Sequence, residues 1–488
     1  MDYYIGIDIG TTSTKAIVVD DQGQSRGVVK QQEYPVIADA EGQHEEDPDV
    51  IFDAFTRVLH EALAAVQAAP VAPGNAPACA VAFSAAMHGV IAIDERGRPL
   101  TRLITWADTR AASVSARLKG TETAARIFAA TGTPIHPMSP LSKLIWLKET
   151  QPELFDKAVR FVSIKEYIWY RLFGVFEIDH SIASATGLFD TPRLRWSELA
   201  LQTVGVGPER LSTPVPVTHQ REKEGLTYII GGGDGCLANL GSGVVSPGMA
   251  SLTIGTSGAV RTTTRVWKTE EEQRLFTYLL TDGYYITGGP SNNGGNVLQW
   301  FSKTTGKDLD TLLKEAFALP PGARGLLFLP WLYGERAPIW DPGARGAFIG
   351  LRAYHGQAHM GKAITEGICY GLCQSLEALE KMTGPIDTIY ASGGFTRSEA
   401  WIQQLADISG KPVRLTDDAD ASAMGAVLLG MLALGQLPDI AAAVRYIRPG
   451  QTFSPDPLRH QAYQPYFELY KSLYAPLQST FDALDKLG

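Results

Sequence analysis

Near the N-terminus, between the strand-like runs Ile5-Gly6-Ile7-Asp8-Ile9 and Ile17-Val18-Val19, lies Gly10-Thr11-Thr12-Ser13-Thr14-Lys15, a turn crowded with hydroxyls, backbone donors and one cation. Glycine lets such a backbone close on a ligand, and successive N–H groups in a turn form a concavity suited to phosphate oxygens. Asp8, at the end of the first run, could hold hydrated Mg2+ beside those phosphates. Taken alone, the stretch reads equally well as an ordinary hairpin with a polar turn. The tie is broken by Ile254-Gly255-Thr256-Ser257, a second strand, Gly-Thr turn and strand, at an offset of 254 − 9 = 245 residues in a chain of 488. The repeat is weak in letters and strong in position, and it predicts two similar domains offering paired loops to one ligand held between them. A third feature is Asp234, which follows a strand and three glycines, Gly231 to Gly233. That setting should present its carboxylate at a cleft, the alternative being a loop aspartate that turns the chain.

The elements that must position these residues are legible in outline. Ile5, Ile7 and Ile9 alternate onto one face, and Gly27 to Tyr34 reads as a third strand. Asp47-Pro48 supplies a cap and a first-turn proline for a helix burying Ile51, Phe55, Val58, Leu59, Ala62, Leu63 and Val66. Ala68 to Ala78 is a loop by composition, and Ala80 to Ser84 is a strand ending in AAMHG. ITWADTR (Ile104 to Arg110) and MSPLSKLIWLKET (Met138 to Thr150) follow, then a helical and loop region over Gln151 to Pro214. In the second half, GGPSNNGGNVLQW (Gly288 to Trp300) joins a strand to a helix, and a long helix runs from about Gly356 to Met382. DTIYASGGFTRS (Asp387 to Ser398) is strand, double glycine and helix start, another backbone that can approach a ligand closely. Helix Glu399 to Ser409, strand Pro412 to Leu415 and helix Ala421 to Leu434 complete an α/β unit, with a covering helix at the C-terminus.

A chain of 488 residues is too long for one core and predicts two or more domains. A hydrophobic content of 45% with 19% charged residues suits a soluble globular protein. The formal charge of −9, without a basic run, argues against nucleic acid or anionic membrane as main partner. The chain enters a strand almost at once, and its longest apolar stretch, Met424 to Leu434, is too short to span a bilayer, so the expectation is a cytoplasmic protein. Cys369 and Cys373 share a helix face, but no further ligand completes a metal set, and small core residues are the better reading.

In order along the chain, IGIDIGTTSTKA, AMHG, ITWADTR, MSPLSKLIWLKE, GGGDG, TIGTSG and ASGGFTRS resemble the FGGY carbohydrate kinases over essentially the whole length. Within that family ITWADTR, NNGGNVLQW and GERAPIWDPGARGAFIGL are most similar to the gluconokinases, with the xylulokinases next through AMHG. Thr150 is a small departure, where the family signature more usually ends in an amide, acid or histidine. The resemblance implies an α/β chain of two ribonuclease-H-like (actin-like ATPase) domains, 1–245 on the sugar side and 246–488 on the nucleotide side, with the active site in the cleft between them. It implies ATP-dependent phosphorylation of a terminal hydroxyl, most closely gluconate to 6-phosphogluconate, with xylulose or another open-chain polyol as the alternative. A small-molecule sugar acid or polyol is then the partner, and a homodimer is left open. An actin-like filament protein or chaperone ATPase shares the fold, but would have no use for AMHG, WADTR and Asp234.

The resemblance also assigns roles. Asp234 matches the catalytic aspartate, a base that aims an alcohol and accepts its proton. Asp8 would position Mg2+ through water. Thr11, Thr12 and Lys15 resemble the first phosphate loop, Gly255 and Thr256 the second. Gly393, Gly394 and Arg397 resemble the nucleotide segment, with Gly295 and Gln299 as further candidates. Met87 and His88 match a substrate-contacting position; Trp106 could stack on the carbon chain or be plain core, and Asp108 and Arg110 could take hydroxyls. A gluconate carboxylate wants a guanidinium or ammonium; Arg110, Lys143 and Arg336 are candidates among which the sequence does not choose. Asn292 and Asn293 could contact substrate or simply turn the chain.

Overall fold

The fold is described from a computed structural model, over residues 2–25, 30–68, 78–416 and 420–487. The expected loop at Ala68 to Ala78 and the first residues of the expected third strand lie largely outside these ranges. The N-terminal half is built on a sheet of β1 (Tyr3–Ile9), β2 (Ser13–Asp20), β3 (Lys30–Glu33), β4 (Cys79–Ala85), β5 (Gln220–Lys223) and β6 (Leu226–Gly233). Their order across the sheet is β5-β6-β4-β1-β2-β3. β1 pairs antiparallel with β2 and parallel with β4, and β4 pairs parallel with β6. β1 is buried along almost its whole length, which is why it reads as an apolar run. Helix α1 (Pro48–Gln67) is capped by Asp47, whose side chain accepts from the backbone of Asp49 and Val50, and it buries the predicted apolar stripe.

The C-terminal half repeats the plan. Its sheet comprises β7 (Met249–Ile254), β8 (Gly258–Thr264), β9 (Phe276–Thr281), β10 (Tyr284–Ser291), β11 (Thr388–Ser392), β12 (Val413–Thr416) and β13 (Pro449–Phe453). The order is β9-β10-β8-β7-β11-β12-β13, with β7 antiparallel to β8 and parallel to β11, and β11 parallel to β12. The five strands β3-β2-β1-β4-β6 in one half and β10-β8-β7-β11-β12 in the other therefore share one topology. Both Gly-Thr turns close the β-hairpin at the head of their sheet. Gly10 donates to the carbonyl of Ser13 at 3.0 Å and Gly255 to that of Ser257 at 2.9 Å. The long helix Gln357–Thr383 buries Ile364, Ile368, Leu372, Leu376 and Leu379, with Cys369 and Cys373 in the same core.

One helix goes elsewhere than the sequence order suggests. Ala421–Ala433 follows β12, yet it packs on β1 and β4 of the other half and on the helix Asp234–Gly241. The reason is its composition. Every residue from Ala423 to Met431 is buried, so the helix has no polar face to give to water and needs cover on all sides. A mixed core holds it there: Tyr4, Ala82, Leu237, Leu240, Val427 and Leu428 belong to one cluster drawn from both halves. Among the described residues, no helix is long and apolar enough to cross a membrane.

Candidate active site

The first of the three glycines before Asp234 sets the backbone there. Between Ile229 and Gly232 the register of β6 against β4 slips. Gly231 takes a left-handed backbone, φ 70°, and a Cβ there would fall 1.7 Å from the Phe83 carbonyl oxygen. Past the bulge the strand pairs on to Gly233, opposite Ala85, and the helix Asp234–Gly241 starts at the next residue, so Asp234 emerges at its head.

There Asp234 lines a cavity of about 230 Å³ together with Thr11, Met87, His88 and Trp106 from the N-terminal half and Arg261 and Arg336 from the C-terminal half. Burial, and next the charge of Asp8, push the Asp234 carboxyl up to about 6, against the pull of Arg261. His88 sits in the left-handed region (φ 68°) and is buried. Burial, with Lys143 nearby, lowers its pKa to about 3, so the ring is neutral. Its Nδ1 lies 2.7 Å from the Ala185 carbonyl oxygen, which can only accept. The proton is therefore on Nδ1, and Nε2 keeps a lone pair for a hydroxyl. Trp106 donates its indole N–H to the Thr11 hydroxyl at 2.9 Å, tying the first Gly-Thr turn to the cavity wall.

Two further cavities continue the cleft. One of about 520 Å³ is lined by Asp8, Lys15, Gly393, Gly394, Arg397 and Asp420, and shares Thr253 with the first. The other, of about 390 Å³, is lined by Gly255, Thr256, Gly295, Gln299 and Trp401, and shares Gly394 and Arg397 with the second. The loops around it are fastened backbone to backbone, Gly295 donating to Gly255 at 2.7 Å and Asn296 to Thr256 at 3.2 Å. Asp8 accepts from the Ser84 hydroxyl at 2.7 Å, and burial raises its pKa. Lys15 reaches Asp420 across the two halves at 3.5 Å.

Other candidates stand apart. Thr12 is exposed and lines none of these three cavities; its carbonyl accepts from the Tyr34 backbone. Asp108 is buried and holds Arg110 at 2.7 Å, and Arg110 also pairs with Glu45 at 2.5 Å, so neither lines the cavity beside Asp234. Lys143 is no free cation. Its ammonium donates to the carbonyls of His88, Thr105 and Met138 at 2.7, 2.6 and 2.9 Å. Asn293 donates to Gly334 and Glu335, and Asn292 to Tyr333, fixing the loop that carries Arg336. Arg261, Asp420 and Trp401 escaped the sequence reading. Arg261 lies inside a strand, where only the fold reveals which face meets a cleft.

The chain matches the family model for the N-terminal domain of FGGY carbohydrate kinases over residues 3–241 and the C-terminal domain model over residues 250–434. It is 39% identical to a gluconokinase of Bacillus subtilis, across 94% of this chain and 93% of that one. Its structure is similar to a gluconate kinase from Lactobacillus acidophilus, with a TM-score of 0.92, 32% identity and 99% of each chain covered. It is equally similar to a ligand-bound xylulose kinase from the same organism, with a TM-score of 0.93, 32% identity and 99% and 100% covered. With two half-chains of one topology, each matched by its own domain model, this chain belongs to the FGGY family of carbohydrate kinases.

Proposed function

We propose that the chain transfers the terminal phosphoryl group of ATP to the terminal hydroxyl of gluconate, giving 6-phosphogluconate and ADP. Two domains, 1–245 and 246–488, would contribute the sugar and nucleotide sides. The observation that carries the reading is Asp234, a carboxyl tuned to about 6 on the wall shared by His88 and Trp106. At neutral pH it is largely ionised, and close enough in pKa to the working pH to serve as a base. It accepts the hydroxyl proton as the new P–O bond forms and the bond to ADP breaks. His88 Nε2 accepts from a second hydroxyl, and the Trp106 face covers part of the carbon chain. The triphosphate would run through the middle cavity toward Gly255, Thr256 and Gly394, with Lys15 and Arg397 beside it.

The donor set in that middle cavity fits Mg2+. Asp8 and Asp420 are the sparse carboxylates this ion takes alongside phosphate oxygens and water, and when bound it would neutralise charge between the phosphates.

The 39% identity to a gluconokinase supports gluconate over xylulose, and the equal likeness to a xylulose kinase structure supports the second reading. Initial rates of ADP release with gluconate, xylulose, ribulose and glycerol decide between them. We expect the highest kcat/KM for gluconate by at least about tenfold. A higher value for xylulose overturns the gluconate reading.

A further inference from the structure

Arg261 and Arg336 give the Asp234 cavity a second chemical character. Arg261 stands on β8 directly across from Gly288 of β10. A Cβ on Gly288 would lie 2.9 Å from Arg261 Cγ, and one on Gly235 would lie 3.4 Å from Nε and Nη2. The side chain thus runs between two glycines into the cavity. Arg336 is 8% exposed; its guanidinium carbon sits 4.7 Å from the centre of the Trp106 ring, and Nη2 donates to the Ser291 carbonyl at 3.1 Å. In both arginines Nε is buried without a hydrogen-bond partner, and among the described residues neither guanidinium forms an ion pair.

Enclosed charge is costly, and here two positive groups line a cavity whose one acid is Asp234; Glu335, the acid next to Arg336, lies outside that lining and accepts from Ser291, Asn293 and the backbone of Asn292 and Arg336. The cavity therefore has room, electrostatically, for one more anion. A phosphate of the nucleotide is the weaker occupant, because neither arginine lines the cavities of the glycine loops and Lys15. Arg110 and Lys143 are committed elsewhere, Arg110 to Glu45 and Asp108, Lys143 to backbone carbonyls. We propose that Arg261 and Arg336 clamp the carboxylate of an aldonate, so that the site selects sugar acids over neutral ketoses and polyols. The inference rests on reading this cavity as the sugar side of the kinase site. It extends that reading from gluconate to a substrate class and names the residues that choose it.

The test compares gluconate, galactonate and glucitol (the neutral counterpart of gluconate) by calorimetric binding and by initial rates, in the wild type, Arg261→Met and Arg336→Lys. Losing a charge-assisted contact of this kind should collapse the gluconate-to-glucitol preference of Arg261→Met on the order of 100-fold. Arg336→Lys, which keeps charge but not the fork, should lose about tenfold. Equal losses for gluconate and glucitol overturn the clamp, since the guanidinium would then serve Asp234 or the transferred phosphoryl. If galactonate outdoes gluconate and Arg261→Met abolishes its advantage over glucitol, the gluconate reading fails and the clamp stands. If gluconate is preferred and the variant keeps that preference, the clamp fails and the gluconate reading stands. Should Arg261→Met not fold by circular dichroism, Arg261→Lys replaces it, with the loss of about tenfold expected of a variant that keeps charge but not the fork, and an unchanged gluconate-to-glucitol preference again overturns the clamp.

Discussion

The Lys143 ammonium donates to the His88 carbonyl at 2.7 Å from the first turn of a helix that begins at Pro140. Ser139 caps that helix and Pro140 opens it, so the ammonium is delivered at a fixed height. The same ammonium holds the carbonyls of Thr105 and Met138, neighbours or members of the cavity wall that includes His88, Trp106 and Met138. One buried cation thus joins three segments around the cavity that Asp234 lines.

Lys143→Met should therefore do two things. It leaves three carbonyls without their donor, which costs on the order of 3 kcal/mol of stability. It also frees the left-handed turn at His88, so KM for the sugar should rise at least about tenfold while KM for ATP stays within about twofold. A thermal melt with both Michaelis constants checks this. A lower Tm with an unchanged sugar KM would leave Lys143 a purely structural residue.

Asp234→Asn keeps the shape of the side chain and removes the base. The expected result is a fall in kcat of roughly 10²–10⁴, with little change in ATP affinity, because the residue lies outside the cavities of the glycine loops. Single-turnover rates and nucleotide titration separate the two. Near-normal turnover would remove Asp234 from the mechanism.

The acid limb of the pH profile follows from the same group. Burial and Asp8 raise the Asp234 carboxyl to about 6, well above an ordinary aspartate. Above that pH it is ionised and can accept a proton; below it the carboxyl is already protonated. In the free enzyme kcat/KM should thus fall with unit slope as pH drops through about 6, while His88, lowered to about 3, stays neutral throughout. A profile flat down to pH 5 contradicts the assignment.

Much of this site could be read from the chain because it is written locally. The Ile9-Gly10-Thr11 and Ile254-Gly255-Thr256 turns and the glycine triplet before Asp234 carry their geometry in neighbouring residues, and the folded chain gathers them along one cleft. What escaped depends on partners distant in sequence. Asp108 and Arg110 are polar residues in a suggestive motif, but their charges are taken up by each other and by Glu45. Arg261 is one arginine in a threonine-rich strand until Gly288 and Gly235 are seen beside it. The helix Ala421–Ala433 reads as the end of a C-terminal unit, whereas its all-round apolar surface finds cover on the opposite sheet.

That crossing of helix and opposite half gives the last prediction. Gly425 lies against the helix Asp234–Gly241, so close that a Cβ would fall 2.0 Å from the Leu237 carbonyl oxygen. The obstacle is backbone, which cannot rotate aside as a side chain can. Gly425→Val must therefore push the two helices apart, at a cost of about 1–3 kcal/mol or more. Because the displaced helix begins with Asp234, activity should suffer beyond what stability alone predicts. At a temperature where the variant is fully folded, kcat should fall at least about tenfold, in line with an ångström-scale misplacement of the base. Gly425→Ala, with a smaller intrusion, should show the same two effects in reduced form. Measured unfolding free energies and kcat for both variants decide it: full activity in a folded Gly425→Val would mean that the crossing does not set the position of Asp234.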